Sequence, residues 1–177
     1  MNTIEYYIHR VMSKFSYDRN EYMNCCFRAQ GMEIGKGVHI FSNIISSEPY
    51  LIFIGDNSTI STGVSLLTHD ASVGAVGDRS EFSDICGAIR IGKHCFIGNN
   101  SIILYGVTIP DRTIVAAGSV VTKSILSEGM IVGGNPAKVI GTVDDYIEKN
   151  KDFFLNLHGK SKEEKKKIIM ASRRKIR

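Results

Sequence analysis

Between Ile85 and Leu126 the sequence repeats every six residues. Steps of six give Ile85, Ile91, Ile97, Ile103, Ile109, Val115 and Val121, all β-branched aliphatics. Four positions further on in each hexad stand Ile89, Cys95, Ser101, Val107, Thr113, Ser119 and Ile125, mostly small or β-branched. A helix repeats every ~3.6 residues and a strand every ~2, so neither produces this period. A chain that turns a corner every six residues does, because each short flat segment then buries its first and fifth side chains. One segment cannot cover its own apolar face, and stacked neighbours must complete the core. The expected fold is therefore an all-β solenoid.

Looser hexads begin at Ile34 and Ile40 and resume at Ile54, Ile60 and Leu66. The 14 residues from Ile40 to Ile54 exceed two hexads by two, which places a bulge near Ser46–Pro49. Small residues follow the aliphatic position at Gly35, Gly55, Gly92 and Ala116, where they let the chain bend without a clashing Cβ. After Leu66 the pattern breaks. Its continuation would bury Asp70 without water or a partner, so the chain must leave the coil near His69. Residues 70–84 are polar, contain glycine and lack the repeat, so they read as an excursion loop with His69 at its root. Loops thrown from a rigid scaffold are where binding and catalysis concentrate.

Outside the repeat, Ile4, Tyr7, Ile8, Val11, Met12 and Phe15 stand at helical spacing, which predicts a helix over 3–16 capping the open end of the solenoid. Residues 17–33 read as an irregular, aromatic-rich bridge. Met130–Val132 reads as a last strand before the turn chemistry of Gly133-Gly134-Asn135-Pro136. Asp144–Leu157 reads as a helix, and Ser161 with Glu164 makes a capping box for another reaching about Lys175. The division is thus an N-terminal cap over 1–33, the solenoid over 34–141 with its loop 70–84, and a helical tail over 142–177.

The 177 residues fit one domain. No run approaches the ~18–20 apolar residues of a membrane span, and charges occupy the place of a signal peptide's apolar region. The cytoplasm is the expected location. The adjacent pair Cys25 and Cys26, an inward Cys95 and the lack of any C-x-x-C argue for free thiols, Cys86 included. Of the net charge of +4, residues 158–177 contribute +7, leaving a mildly acidic body at −3. A basic stripe on the body and a recognisable motif, expected of a nucleic-acid binder, are both missing. The basic run Lys160–Arg177 reads as a solvated helix face.

The stretches IGKHCFIGNNSIILYGVTI, AAGSVVTK and GGNPAKVIG, within Ile89–Ile140, resemble the hexapeptide-repeat acyltransferases. Among these the chain is similar to the maltose/galactoside-type acetyltransferases and to bacterial polysaccharide O-acetyltransferases. The resemblance implies a left-handed parallel β-helix, a homotrimer, and acetyl-CoA as cosubstrate in the groove between subunits. It places backbone groups of Ala117 and Gly118 along the pantetheine arm and Thr122, Lys123 and Lys138 toward the nucleotide end. It makes His69 the general base for a sugar or glycan hydroxyl, a task suited to an imidazole of reference pKa ~6.5. Asp70 is a candidate to orient that ring or simply to begin the loop, and Glu81 and Asp84 are candidates for acceptor contacts. The second histidine common after the first in this family is absent, since Asp70-Ala71-Ser72 follows.

His94 competes for the catalytic role, because it holds the same fourth hexad position within an unbroken coil. The zinc-dependent relatives of this fold carry a His-x4-His pair, but Asn99 stands five residues after His94, so no metal is expected. Three alternatives stay open: a nucleotide-sugar N-acetyltransferase, an antibiotic acetyltransferase, and a structural assembly subunit without activity. The intact motifs together with the loop and His69 argue against the last.

Overall fold

The computed structural model describes residues 2–75 and 83–172, and in it the hexads stack as short parallel strands on three faces. The first face carries Glu33–Ile34, Ile52–Ile54, Ile89–Ile91 and Thr108–Ile109. The second carries His39–Ile40, Thr59–Ile60, Phe96–Ile97, Ile114–Val115 and Met130–Gly134. The third carries Ser65–Leu66, Ile102–Ile103 and Val120–Val121. Ile91 lies in register with Ile109, Ile97 with Val115 and Ile103 with Val121, so a regular coil takes 18 residues. The chain therefore climbs as a solenoid whose neighbouring coils supply each other's strand partners.

Both predicted inward positions are buried. Ile60, Ile89, Ile97, Ile103, Ile109 and Val115 form columns with no exposed surface, each buried side chain contributing about 1.5–3 kcal/mol. Ser58, Ser101, Thr113 and Ser119 are buried beside them. Their hydroxyls do not stay unpaired: Ser58 donates to Gly92 O (2.8 Å) and Ser119 to Ala116 O (2.6 Å). Small hydroxyls at the fifth position thus tie down corner carbonyls that would otherwise be orphaned.

The glycines after the aliphatic position serve the stack more than the bend. A Cβ on Gly55 would meet the Gly92 carbonyl carbon at 2.6 Å, and one on Gly92 would meet the Asp111 backbone nitrogen at 2.7 Å. Neither has a positive φ; the next coil passes too close for a side chain. The bend itself falls on left-handed residues two positions later, Gly37, Asn57, His94, Arg112 and Gly129, which form a ladder at one corner.

Four expectations change. Ile85 is not inward: it is half exposed, in an antiparallel pair that sets His69 opposite Cys86 and Asp70 opposite Ile85. The regular coil resumes only at Ile89. Residues 17–33 are not irregular but contain a helix, α2 (Arg19–Ala29), following α1 (Thr3–Met12). Asp18 caps α2, and Met23, Asn24 and Phe27 are buried beneath it. This second helix covers the end of the coil, Asn24 Nδ2 donating to Val38 O (2.9 Å) and Arg28 Nε to Ile34 O (2.8 Å). Third, Met130–Gly134 does not end the sheet, because Ala137–Thr142 folds back on it antiparallel. Fourth, α3 spans only Val143–Asn150, capped by Thr142, with a short 3-10 turn over Lys151–Phe153. The capping box at Ser161 and Glu164 opens α4 (Lys162–Ala171), which buries no side chain. Among the described residues no helix is long and apolar enough to cross a membrane.

Candidate active site

The coil before the excursion loop is longer than the regular coils. Ile34 pairs with Ile54, a step of 20 residues where the regular coil takes 18, and the surplus forms a bulge ending in the 3-10 turn Pro49–Leu51. The bulge carries Glu48 to the point where the next coil breaks off. There Thr68 is buried, His69 turns outward and the loop begins. The chain returns at Gly87, whose N–H donates to Thr68 O (2.9 Å), so the loop is pinched shut at its base.

Glu48 Oε2 lies 2.8 Å from His69 Nδ1 and accepts a second hydrogen bond from the Thr68 hydroxyl, also at 2.8 Å. Since Thr68 gives its only hydroxyl hydrogen to the carboxylate, the contact between Ser46 Oγ and Thr68 Oγ1 (2.7 Å) must run from Ser46 to Thr68. Ser46 Oγ in turn accepts from the Glu48 backbone N–H (3.0 Å). The carboxylate is thus held from several sides, and its side chain keeps only 18% exposure against 40% for His69. An ionised carboxylate only accepts, so Nδ1 carries the hydrogen and Nε2 presents its lone pair to solvent.

The electrostatics follow the same contacts. The hydrogen bond from His69 to Glu48, then the Glu48 charge, hold the imidazole above its ordinary range. The Thr68 and His69 hydrogen bonds hold the Glu48 carboxyl below the usual carboxylate range. Asp84 and Asp70 add weaker Coulombic pulls on the ring. Asp70 Oδ1 accepts from the Ser72 N–H (2.7 Å) at the turn into the loop.

A second feature lies further up the same corner. A groove of about 240 Å³ is lined by Lys123, Leu126, Lys138 and Val139 among others, with Val121 and Val132 at its floor. Val121 pairs with Ile103 and Ile103 with Leu66, so Lys123 and Thr68 take the same position on coils two strand spacings apart. That separation is roughly 10 Å along the stack. The groove offers apolar walls and two lysines, a surface suited to an elongated molecule bearing phosphates.

Residues 88–123 match the family model "hexapeptide repeat of succinyl-transferase". The chain is 41% identical over 137 residues to Protein CapG of Staphylococcus aureus, covering 74% of this chain and 79% of that protein. It is 31% identical over 120 residues to the galactoside O-acetyltransferase of Escherichia coli, covering 64% of this chain and 55% of the relative. The structure of a maltose O-acetyltransferase from Clostridium difficile superposes with a TM-score of 0.53 at 25% identity, over 76% of this chain and 81% of that one. The chain belongs to the hexapeptide-repeat acetyltransferases.

In this acetyltransferase the residues singled out from sequence fall into two groups. Lys123 and Lys138 meet in one groove, with exposed Ala117, Gly118 and Thr122 at the neighbouring corner and strand end. The Gly118 N–H already donates to Asn99 O (2.8 Å), so that donor is engaged within the coil. His69 stands at the other group, with Asp84 exposed near it and Cys86 its register partner across the loop base. Glu81 lies outside the described residues. His94 sits in the left-handed corner ladder (φ 54°), exposed, its backbone N–H donating to Asp56 O.

Sequence reasoning missed Glu48. The excess of two residues between Ile40 and Ile54 was the available signal, since an insertion in a regular coil marks a place where the chain does something besides stack. Among the described residues no three His, Cys, Asp or Glu side chains are grouped to hold a metal.

Proposed function

We propose that this acetyltransferase moves the acetyl group of acetyl-CoA to a sugar hydroxyl, with His69 as general base. The observation that carries the reading is the His69–Glu48 pair, 2.8 Å apart at the mouth of the loop. His69 Nε2 takes the hydroxyl proton as that oxygen attacks the thioester carbonyl; the C–S bond then breaks, and the imidazolium returns the proton to the departing thiolate. Glu48 fixes the tautomer that leaves Nε2 free and stabilises the imidazolium formed during attack. Direct transfer of this kind needs no acyl-enzyme, and Cys86 takes no part as a nucleophile.

Lys123 and Lys138 hold the phosphates of CoA, with Thr122 beside them. The pantetheine arm passes Ala117 and Gly118 on its way to His69. Asp84 and the loop 70–84, Glu81 included, contact the acceptor. The relatives named for galactoside and maltose support a sugar hydroxyl as the acceptor; a surface polysaccharide, its precursor acetylated in the cytoplasm, is the setting proposed here. The catalytic unit is the coil over 34–141, left-handed as in the family, with end pieces over 1–33 and 142–177. Three such chains form a trimer that encloses the acetyl-CoA groove between subunits.

Release of CoA thiol across a panel of free sugars, nucleotide sugars, polysaccharide fragments, amines and antibiotics tests the reading. Acetyl-CoA consumption that depends on a sugar hydroxyl supports it, and a preference for an amine overturns it. Light scattering should report three chains of 19.6 kDa. A stable, active monomer would remove the shared groove.

A further inference from the structure

The apolar stripe of α1 faces away from the protein. The helix touches the body through the opposite side: Tyr6 and Ser13 are buried, Tyr6 packs on Phe27 with ring centroids 6.5 Å apart, and His9 reaches the Tyr22 hydroxyl at 3.1 Å. The stripe from which the sequence predicts a cap on the open end of the solenoid, Ile4, Tyr7, Ile8, Val11 and Met12, is exposed throughout. Phe15 at 89% exposure and Tyr17 prolong it beyond the helix. Water-facing apolar patches of this extent mark an interaction surface.

Its surroundings say what kind. Beside the stripe lies a groove of about 440 Å³ whose walls include Tyr7, Val11 and Phe41 and whose charged side chains are Arg10, Lys14 and Arg19. Among the described residues none of these three cations is in an ion pair, although Arg10 lies 6.0 Å from the Tyr6 ring. The acids of the segment are engaged elsewhere. Glu5 accepts from the Asn2 backbone N–H (3.0 Å), and Asp18 accepts from the Asn20 and Glu21 N–H groups at the start of α2.

We propose that the α1 stripe and the cationic groove beside it dock this protein on an anionic phospholipid surface. The apolar side chains enter the boundary between headgroups and acyl chains, the aromatic rings sit at headgroup depth, and the three cations pair with lipid phosphates. The groove presents three cations and no acid, a charge pattern that anionic headgroups complement. In a three-fold assembly the three stripes lie at one height along the axis, and simultaneous engagement multiplies a weak single contact. This surface stands independently of the acetyltransfer chemistry, and its readout is binding, not turnover.

The test is co-sedimentation of the full chain with vesicles of phosphatidylcholine alone and with about a third phosphatidylglycerol. Wild type should partition at least about tenfold more strongly onto the anionic vesicles, and added salt should weaken that preference. Ile8→Asp/Val11→Asp should abolish binding to both. Lys14→Glu/Arg19→Glu should abolish the anionic preference; an acid at the first residue of α2 favours the helix, so this variant keeps the fold. Both variants retain the basic C-terminal run, so their loss of binding separates α1 from the tail. Wild type that stays in solution with anionic vesicles overturns the proposal, as does binding indifferent to the charge-reversal variant. If wild type ignores vesicles while Ile8→Asp/Val11→Asp lowers the molar mass by light scattering, the stripe is a contact between copies.

Discussion

Glu48 Oε2 and His69 Nδ1 lie 2.8 Å apart although 21 residues separate them along the chain. They meet because the coil bearing Glu48 carries two extra residues, and because the following coil breaks off where its inward position would have fallen on a carboxylate. Neither irregularity alone brings a carboxylate to an imidazole. Together they give a ring with one tautomer, one orientation and a free Nε2.

Removing the charge of Glu48 while keeping its shape tests that pairing. Glu48→Gln should lower kcat by roughly tenfold to a hundredfold, with little change in the KM for acetyl-CoA. The pH profile carries the sign. Glu48 favours the charged imidazole and raises its pKa, so in wild type kcat/KM rises with pH through a value above the ordinary histidine range. Without the charge the imidazole loses its proton more readily, and the acidic limb must move to lower pH. An unmoved limb would show that the Glu48 charge does not set the His69 titration.

Lys123 and Lys138 reach one groove from different strands. Replacing either by alanine should raise the KM for acetyl-CoA several-fold, with kcat nearly kept, because an exposed cation lends ground-state and transition-state binding alike. The increase should shrink at high salt, where screening weakens the wild-type contact. Isothermal titration with CoA at two ionic strengths checks this, and affinities equal to wild type in both variants would remove the groove from the CoA site.

The hexads made the coil legible because a period of six excludes ordinary helices and strands. The close stacking of corners was only half legible. Glycine after the aliphatic residue looked like an aid to bending, whereas the backbone of the next coil is what forbids a side chain. Ile85 kept the hexad spacing while pairing outside the coil, so periodicity alone could not place it. Helix α2 was hidden by its buried face, which places Asn24 between Met23 and Phe27 and so lacks a clean apolar stripe. The α1 stripe was legible, but α2 rather than that stripe covers the end of the coil, since amphipathicity does not show what a face meets. His69 was legible as the root of the loop. Its partner was not, because no local pattern links position 48 to position 69.

Corner stacking has a direct test. A Cβ on Gly98 would lie 2.5 Å from Ala117 N and 2.7 Å from Val115 O, both backbone atoms of the next coil. Gly98→Ala should destabilise the protein by about 1–3 kcal/mol. Gly141→Ala, where nothing lies within 4 Å of the added carbon, should stay within about 0.5 kcal/mol of wild type. Thermal midpoints measured together check the pair, and equal midpoints would mean that the coils do not approach as closely as described.

Single-turnover acetyl transfer by His69→Ala, with His94→Ala measured beside it, shows whether His69 Nε2 removes the acceptor proton. His69→Ala should lower the rate by roughly 10²–10⁴, the usual contribution of a positioned base, while acetyl-CoA still binds and the assembly keeps its mass. His94, exposed in the corner ladder, should tolerate alanine with turnover within a few-fold of wild type. Wild-type turnover by His69→Ala, or a collapse confined to His94→Ala, would exclude His69 as the base and move the active site to the other corner.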